Sequence, residues 1–118
     1  MKETILISIL ILFVNSNAMV AQQKYMSFNI RFDNPADGED RWELRREELC
    51  EMISKYDPDF LGIQEALPKQ VEYLDKQLQD YNYIGFGRDG EGSESESVPI
   101  FYKSNAFELI EKEVFWLS

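Results

Sequence analysis

The chain has 118 residues, 44% of them hydrophobic, and sets 22 acidic against 12 basic side chains for a formal charge of −10. That size supports one domain with a modest core, and the apolar content argues against wholesale disorder. The acidity disfavours direct contact with a nucleic-acid backbone or an anionic membrane unless cations intervene, and it suits a protein that gathers divalent metal ions.

The first stretch, "MKETILISILILFVNSNAMVAQQ", opens on Lys2, runs apolar from Ile5 to Val14 and turns polar with small residues. A bilayer span needs about 20 apolar residues, so this run is too short to cross one and matches a secretory signal instead. Residues 1–21 are expected to be a signal peptide, cleaved after Ala18 or Ala21, that sends the protein to the periplasm or outside the cell. A buried strand or helix of the folded domain is the alternative. No cysteine follows the apolar run, which argues against a lipoprotein anchor.

"KYMSFNIR", Lys24 to Arg31, predicts a strand covered on both faces, because both sets of alternating positions are largely apolar. The polar loop "FDNPADGED" follows, with the turn residues Pro35 and Gly38. Asp40 and Glu43 form a capping pattern ahead of a helix from about Arg41 to Tyr56, whose buried face is Leu49, Met52, Ile53 and Tyr56. Cys50, the only cysteine, can form no internal disulfide and reads as a small core residue on this helix rather than a nucleophile. Asp57-Pro58 stops the helix, and a second strand spans Asp59 to Gln64. Pro68 suits a first helical position, with Val71, Leu74 and Leu78 along one face of a second helix. The aromatic and branched runs "YNYIGFG", "VPIFYK" and "AFELIEKEVFWLS" predict three more strands, the first two separated by an acidic Gly/Ser-rich loop from Arg88 to Ser97.

The resulting order predicts an α/β fold with a mixed sheet: a parallel pair joined by a crossover helix, then hairpins. Helices would cover one face. The other face carries Tyr, Phe and Trp and lacks an obvious cover.

Ligands of such sheets gather beyond the C-terminal ends of the strands. Asn29 and Glu65 both stand there, and a carboxylate with an amide oxygen is a fitting start for magnesium, which takes few protein ligands. The competing reading is structural: Asn29 closes a turn and Glu65 caps the helix that starts at Pro68. There is no histidine, so a general base near neutral pH would be a shifted carboxylate, a metal-bound water, or absent.

"SFNIR", then "DFLGIQE", "GFGRDG" and "ESVPIFY", together resemble the endonuclease/exonuclease/phosphatase superfamily, which includes DNase I-like nucleases, sphingomyelinases and inositol phosphatases. The resemblance runs from Lys24 to Ser118 and looks closest to a secreted bacterial branch of metal-dependent hydrolases. It implies the N-terminal half of a four-layer α/β/β/α sandwich, with Glu65 as central ligand of magnesium or manganese and Asn29 as a second residue of the metal centre. It implies that Glu96 orients a catalytic histidine and that Arg88 contacts phosphate at the site's edge. Against these stand a solvated loop glutamate, with Glu94 two residues earlier as a rival, and a solvated loop arginine. The family's histidine, Asp-x-Asn and Asp-His motifs are absent from this chain. The expectation is therefore the N-terminal part of an exported hydrolase of phosphate esters, with little or no turnover by itself. The alternative is a non-catalytic fragment or pseudoenzyme whose aromatic sheet face takes a partner: a complementing C-terminal half or a second copy.

Overall fold

The computed structural model describes residues 22–90, 93–115 and 117. The expected signal peptide, residues 1–21, lies outside them.

Four strands form one mixed sheet: β1 (Tyr25–Asn29), β2 (Phe60–Gln64), β3 (Tyr81–Ile84) and β4 (Ile100–Lys103), in spatial order β1-β2-β4-β3. β1 and β2 pair in parallel, with Asn29 opposite Gln64, while β4 runs antiparallel to both β2 and β3. The helix α1 (Trp42–Tyr56) makes the crossover between the parallel strands, and α2 (Pro68–Gln77) links β2 to β3. This is the expected mixed α/β sheet with helices on one face. Met26, Phe28, Leu61, Ile63 and Phe101 share that face in register, and they pack with Leu49, Ile53, Val71 and Leu74 from the helices. Trp42 is buried as well, its indole edge-on to Tyr73 with centroids 5.7 Å apart. Each such buried side chain contributes about 1.5–3 kcal/mol of transfer free energy, so this layer holds the sheet and helices together.

Several expectations need correction. β1 is covered on one face only: Tyr25, Ser27 and Asn29 are exposed, because the second layer their face would need is not among the described residues. Tyr56 is 57% exposed and is the last residue of α1. Asp40 does not cap α1. The N-cap is Arg41, without a side-chain cap bond, and the preceding loop holds a 3₁₀ turn, Pro35–Asp40, that is capped by Asn34 Oδ1. The strand expected from Ala106 onward does not form among the described residues. Leu109, Ile110 and Phe115 stay exposed, because branched and aromatic residues favour a ladder only where a partner strand is available. Phe107 packs back on Phe60 at 4.4 Å between centroids, and Lys112 lies over the Phe86 ring at 4.8 Å from its centroid.

Cys50 borders the core, half-buried, and burial together with the charge of Glu47 pushes its thiol pKa up, the reverse of what a nucleophile needs. Gly85 is required where it stands, because a Cβ there would come within 2.9 Å of the Pro99 Cα.

Candidate metal centre

The chain leaves the parallel pair through two non-glycine residues in the left-handed region, Arg31 at φ 59° and Glu65 at φ 60°. Such backbone costs about 1–3 kcal/mol per residue and persists only where neighbouring contacts hold it. At Glu65 the left-handed turn breaks the strand's alternation at the rim, beside Asn29.

The two residues meet. Asn29 Nδ2 donates to Glu65 Oε1 at 2.7 Å, while Asn29 Oδ1 accepts the Arg31 N–H at 2.9 Å. Asn29 thus does close a turn, and with the same amide it orients Glu65. Glu65 does not cap α2: the N-cap is Leu67, whose N–H goes to Gln70 Oε1 at 3.1 Å, and the hydrogen bond to the Glu65 carboxylate comes from Asn29. Glu65 Oε2 accepts no hydrogen bond from the described residues.

The loop before β4 reaches the same rim. Ser97 and Ala66 form an antiparallel bridge, with Ser97 N–H donating to the Ala66 carbonyl at 2.8 Å and Ala66 N–H to the Ser97 carbonyl at 3.2 Å. Glu96, one residue before the bridge, is half-buried, whereas Glu94 is exposed. The charges of Glu65 and Glu96 both help to raise the Arg31 pKa, after the larger effect of its hydrogen bond to Asp37. Arg31 grips both Asp37 oxygens at 3.1 Å and stacks over Phe32, 4.4 Å from the ring centroid. That hydrogen bond in turn lowers the Asp37 pKa. Arg88 is tied in through its backbone N–H, which donates to the Glu96 carbonyl at 2.8 Å. Its guanidinium is exposed and lies 3.7 Å from Asp89, so the structure does not join it to the Asn29–Glu65 pair.

One carboxylate oriented by an amide offers a single hard oxygen donor, which fits a magnesium or manganese ion keeping most of its waters. Among the described residues no group of three or more His, Cys, Asp and Glu is placed to hold a metal ion.

Two side chains that support the rim escape a sequence reading. Gln70 is completely buried. Its Oε1 accepts the N–H groups of Asp33 at 3.0 Å and Leu67 at 3.1 Å, and its Nε2 donates to the Arg31 carbonyl at 2.9 Å. Arg45 spreads its guanidinium over three carbonyls, those of Asp40, Ile30 and Arg31, at 2.7, 2.6 and 2.9 Å. The available signal was thin: a glutamine at the third helical position after Pro68 can accept the N-cap N–H.

The chain and its fold have known relatives. The model of the endonuclease/exonuclease/phosphatase family matches residues 26–114. An endonuclease/exonuclease/phosphatase from Bacteroides vulgatus superposes with TM-score 0.73 at 35% identity, covering 75% of this chain and 34% of that one. A mannosyl-6-phosphatase from Bacteroides thetaiotaomicron superposes with TM-score 0.75 at 32% identity, covering 78% and 35%. The Ccr4 3'-5'-exoribonuclease subunit of the CCR4-Not complex from Mycosarcoma maydis is 30% identical over 75% of this chain and 16% of its own length. The chain therefore spans about a third of these solved structures and about a sixth of the curated relative. With a family match running from the second residue of β1 through the rim and beyond β4, the chain belongs to the endonuclease/exonuclease/phosphatase family.

Proposed function

We propose that this protein is part of an exported, divalent-metal-dependent hydrolase of phosphate esters, with Glu65 as the residue that would hold the metal and Asn29 as the second residue of the centre, orienting that carboxylate. The observation that carries the proposal is the 2.7 Å contact that brings these two side chains together at the C-terminal rim of the parallel strands. A bound magnesium or manganese ion would supply charge neutralisation at a phosphate oxygen.

The chain's own residues supply orientation and charge. Asn29 fixes the rotamer of Glu65, so that one carboxylate oxygen is engaged and the other is left for a cation. Arg31, locked by Asp37, places a positive charge within electrostatic reach of Glu65 and Glu96. Glu96 stands on the same rim, and we assign it to orient a general base. No histidine of this chain can be that base. Removing general-base catalysis costs about 10²–10⁴-fold, so these 118 residues alone should turn over little. Relatives named as an exoribonuclease and a mannosyl-6-phosphatase support a phosphodiester or phosphomonoester substrate. Export rests on Lys2, the apolar run Ile5–Val14 and the small residues at Ala18 and Ala21. Mass spectrometry of exported protein should then find a start at Met19 or Gln22, and an intact Met1 would refute export.

The test of function pairs two readouts. Manganese should raise the melting temperature of the wild-type chain and not that of Glu65→Ala. Any hydrolysis of aryl phosphate mono- or diesters should vanish with chelator and in the same variant. Turnover that survives Glu65→Ala would sink the metal role.

A second reading is favoured by the open sheet face, where Tyr25 is 71% and Ile100 43% exposed and Tyr25 stacks on Phe60 at 5.2 Å. On this reading the chain is a binding module for a complementing C-terminal half or a second copy. A monodisperse monomer in light scattering counts against self-association.

A further inference from the structure

Gln70 is the one fully buried polar side chain among the described residues, and its hydrogen bonds go to Asp33, Leu67 and Arg31 rather than to Asn29 or Glu65. Its hydrogen bonds nonetheless join the two segments that carry them. Leu67 lies two residues beyond Glu65 and Asp33 two residues beyond Arg31; both N–H groups converge on Gln70 Oε1, at 3.1 and 3.0 Å. The Arg31 carbonyl takes the amide's N–H at 2.9 Å, and Arg45 Nη2 braces the same carbonyl at 2.9 Å. One side-chain amide therefore spans both left-handed turns, at Arg31 and at Glu65. A planar amide with acceptor and donor fixed about 2.2 Å apart sets the separation of the segments it bridges within narrow limits. Asn29 is tied to the first of those turns by its own bond to the Arg31 N–H, so the turn's placement is also Asn29's placement.

We infer that Gln70 is a positioning residue, whose bonds to Asp33, Leu67 and Arg31 set the Asn29–Glu65 contact and thereby tune the cation affinity of the rim. The cation arm of this inference rests on the metal reading above, whereas the contact arm does not. Partners that orient a ligand from behind are worth about 10–100-fold in metal affinity. A residue that served stability alone would change the unfolding midpoint and leave the folded rim as it was.

The test uses the 118-residue chain and four variants: Gln70→Leu, Gln70→Glu, Glu65→Ala and, as a control of the same helix, Leu74→Ala. Leu74 is completely buried in the core and takes no part in the rim. The first readout is the Asn29 side-chain amide resonance in metal-free protein, assigned with Asn29→Asp. In Gln70→Leu it should move toward its position in Glu65→Ala, and in Leu74→Ala it should stay. Gln70→Glu keeps the acceptor and loses the donor to Arg31, so its signal should fall between. If Gln70→Leu does not fold, Gln70→Glu decides by the same signal. The second readout is manganese titration, where Gln70→Leu or Gln70→Glu should lose about tenfold or more in affinity and Leu74→Ala nothing. An Asn29 signal unmoved in the folded Gln70 variants overturns the positioning role. A signal that moves as expected in a protein that binds no manganese supports positioning and refutes the metal reading.

Discussion

Where β1 and β2 begin, Lys103 Nζ lies 2.7 Å from Asp57 Oδ2 and 3.8 Å from Asp59 Oδ1, and Asp59 Oδ2 also accepts the Lys24 N–H at 2.8 Å. Where the same strands end, Glu65 has one oxygen on the Asn29 amide and the other without a hydrogen bond from the described residues. Both ends are acidic, yet they are built differently. At the starting end a lysine raised in pKa by its bond to Asp57 closes the carboxylates into a pair. At the finishing end the nearby cation, Arg31, is already committed to Asp37 by two bonds. A carboxylate with a bound partner is structural by default; one oriented by an amide and left open is available to a ligand. The strand direction assigns these roles, because in a parallel pair the C-terminal ends splay into loops that can converge.

Changing the supports of each end should separate them, and the largest effect is expected at Gln70. Gln70→Leu leaves the part-buried N–H groups of Asp33 and Leu67 without a partner and the Arg31 carbonyl with Arg45 alone, and at about 1–3 kcal/mol for each unpaired N–H the loss should be about 3 kcal/mol by urea unfolding. Arg45→Met strips the same loop of its second clamp, but its carbonyls lie nearer to solvent, so about 2 kcal/mol is expected. Both variants act at the rim.

At the starting end, the Tyr81 hydroxyl donates to the buried Pro58 carbonyl at 2.6 Å. Tyr81→Phe should cost about 1 kcal/mol at neutral pH without changing cation binding. Burial, and then the charges of Asp57, Asp59 and Asp80, push the Tyr81 pKa from 10.0 up to about 12. The folded state then holds this proton more tightly than the unfolded one. Its contribution is complete below pH 10, falls as pH rises toward about 12, and is gone above that. The unfolding midpoint of the wild type should accordingly drop more between pH 9 and pH 11.5 than that of Tyr81→Phe. Equal drops would show that another group governs the alkaline limb. The smallest effect belongs to Arg88→Ala, an exposed guanidinium whose loss should stay within about 0.5 kcal/mol.

The contrast between Glu65 and Gln70 shows what a sequence can disclose about such a rim. Glu65 and Asn29 were legible because their positions follow from local pattern: each ends an apolar run, and the intervening helix makes the runs parallel neighbours. Their meeting needed only that topology. Gln70 and Arg45 were not legible, because two of the three partners of Gln70 lie 37 and 39 residues away and those of Arg45 up to 15, all of them backbone groups that carry no residue-type signal. The helices were readable from the spacing of Leu49 and Ile53 and of Val71 and Leu74, all of them buried. The final strand was misread because "AFELI" and "VFWL" report only a preference for a pleated, half-buried surface, and pairing depends on a neighbour supplied by the rest of the fold. The register of the acidic loop could not be read from "SESES", where Glu94 and Glu96 are alike. The bridge between Ser97 and Ala66 is what makes Glu96 the half-buried residue beside the rim.

Whether the open carboxylate holds a cation is tested most directly by titrating manganese into metal-free protein and following water-proton relaxation, for the wild type and for Glu65→Gln. That substitution keeps the shape and removes the charge. One site per chain is expected in the wild type, weakened by about 100-fold or more in the variant, at least as much as losing an outer supporting partner. Manganese binding of undiminished affinity in Glu65→Gln would contradict the assignment of Glu65 as the metal ligand.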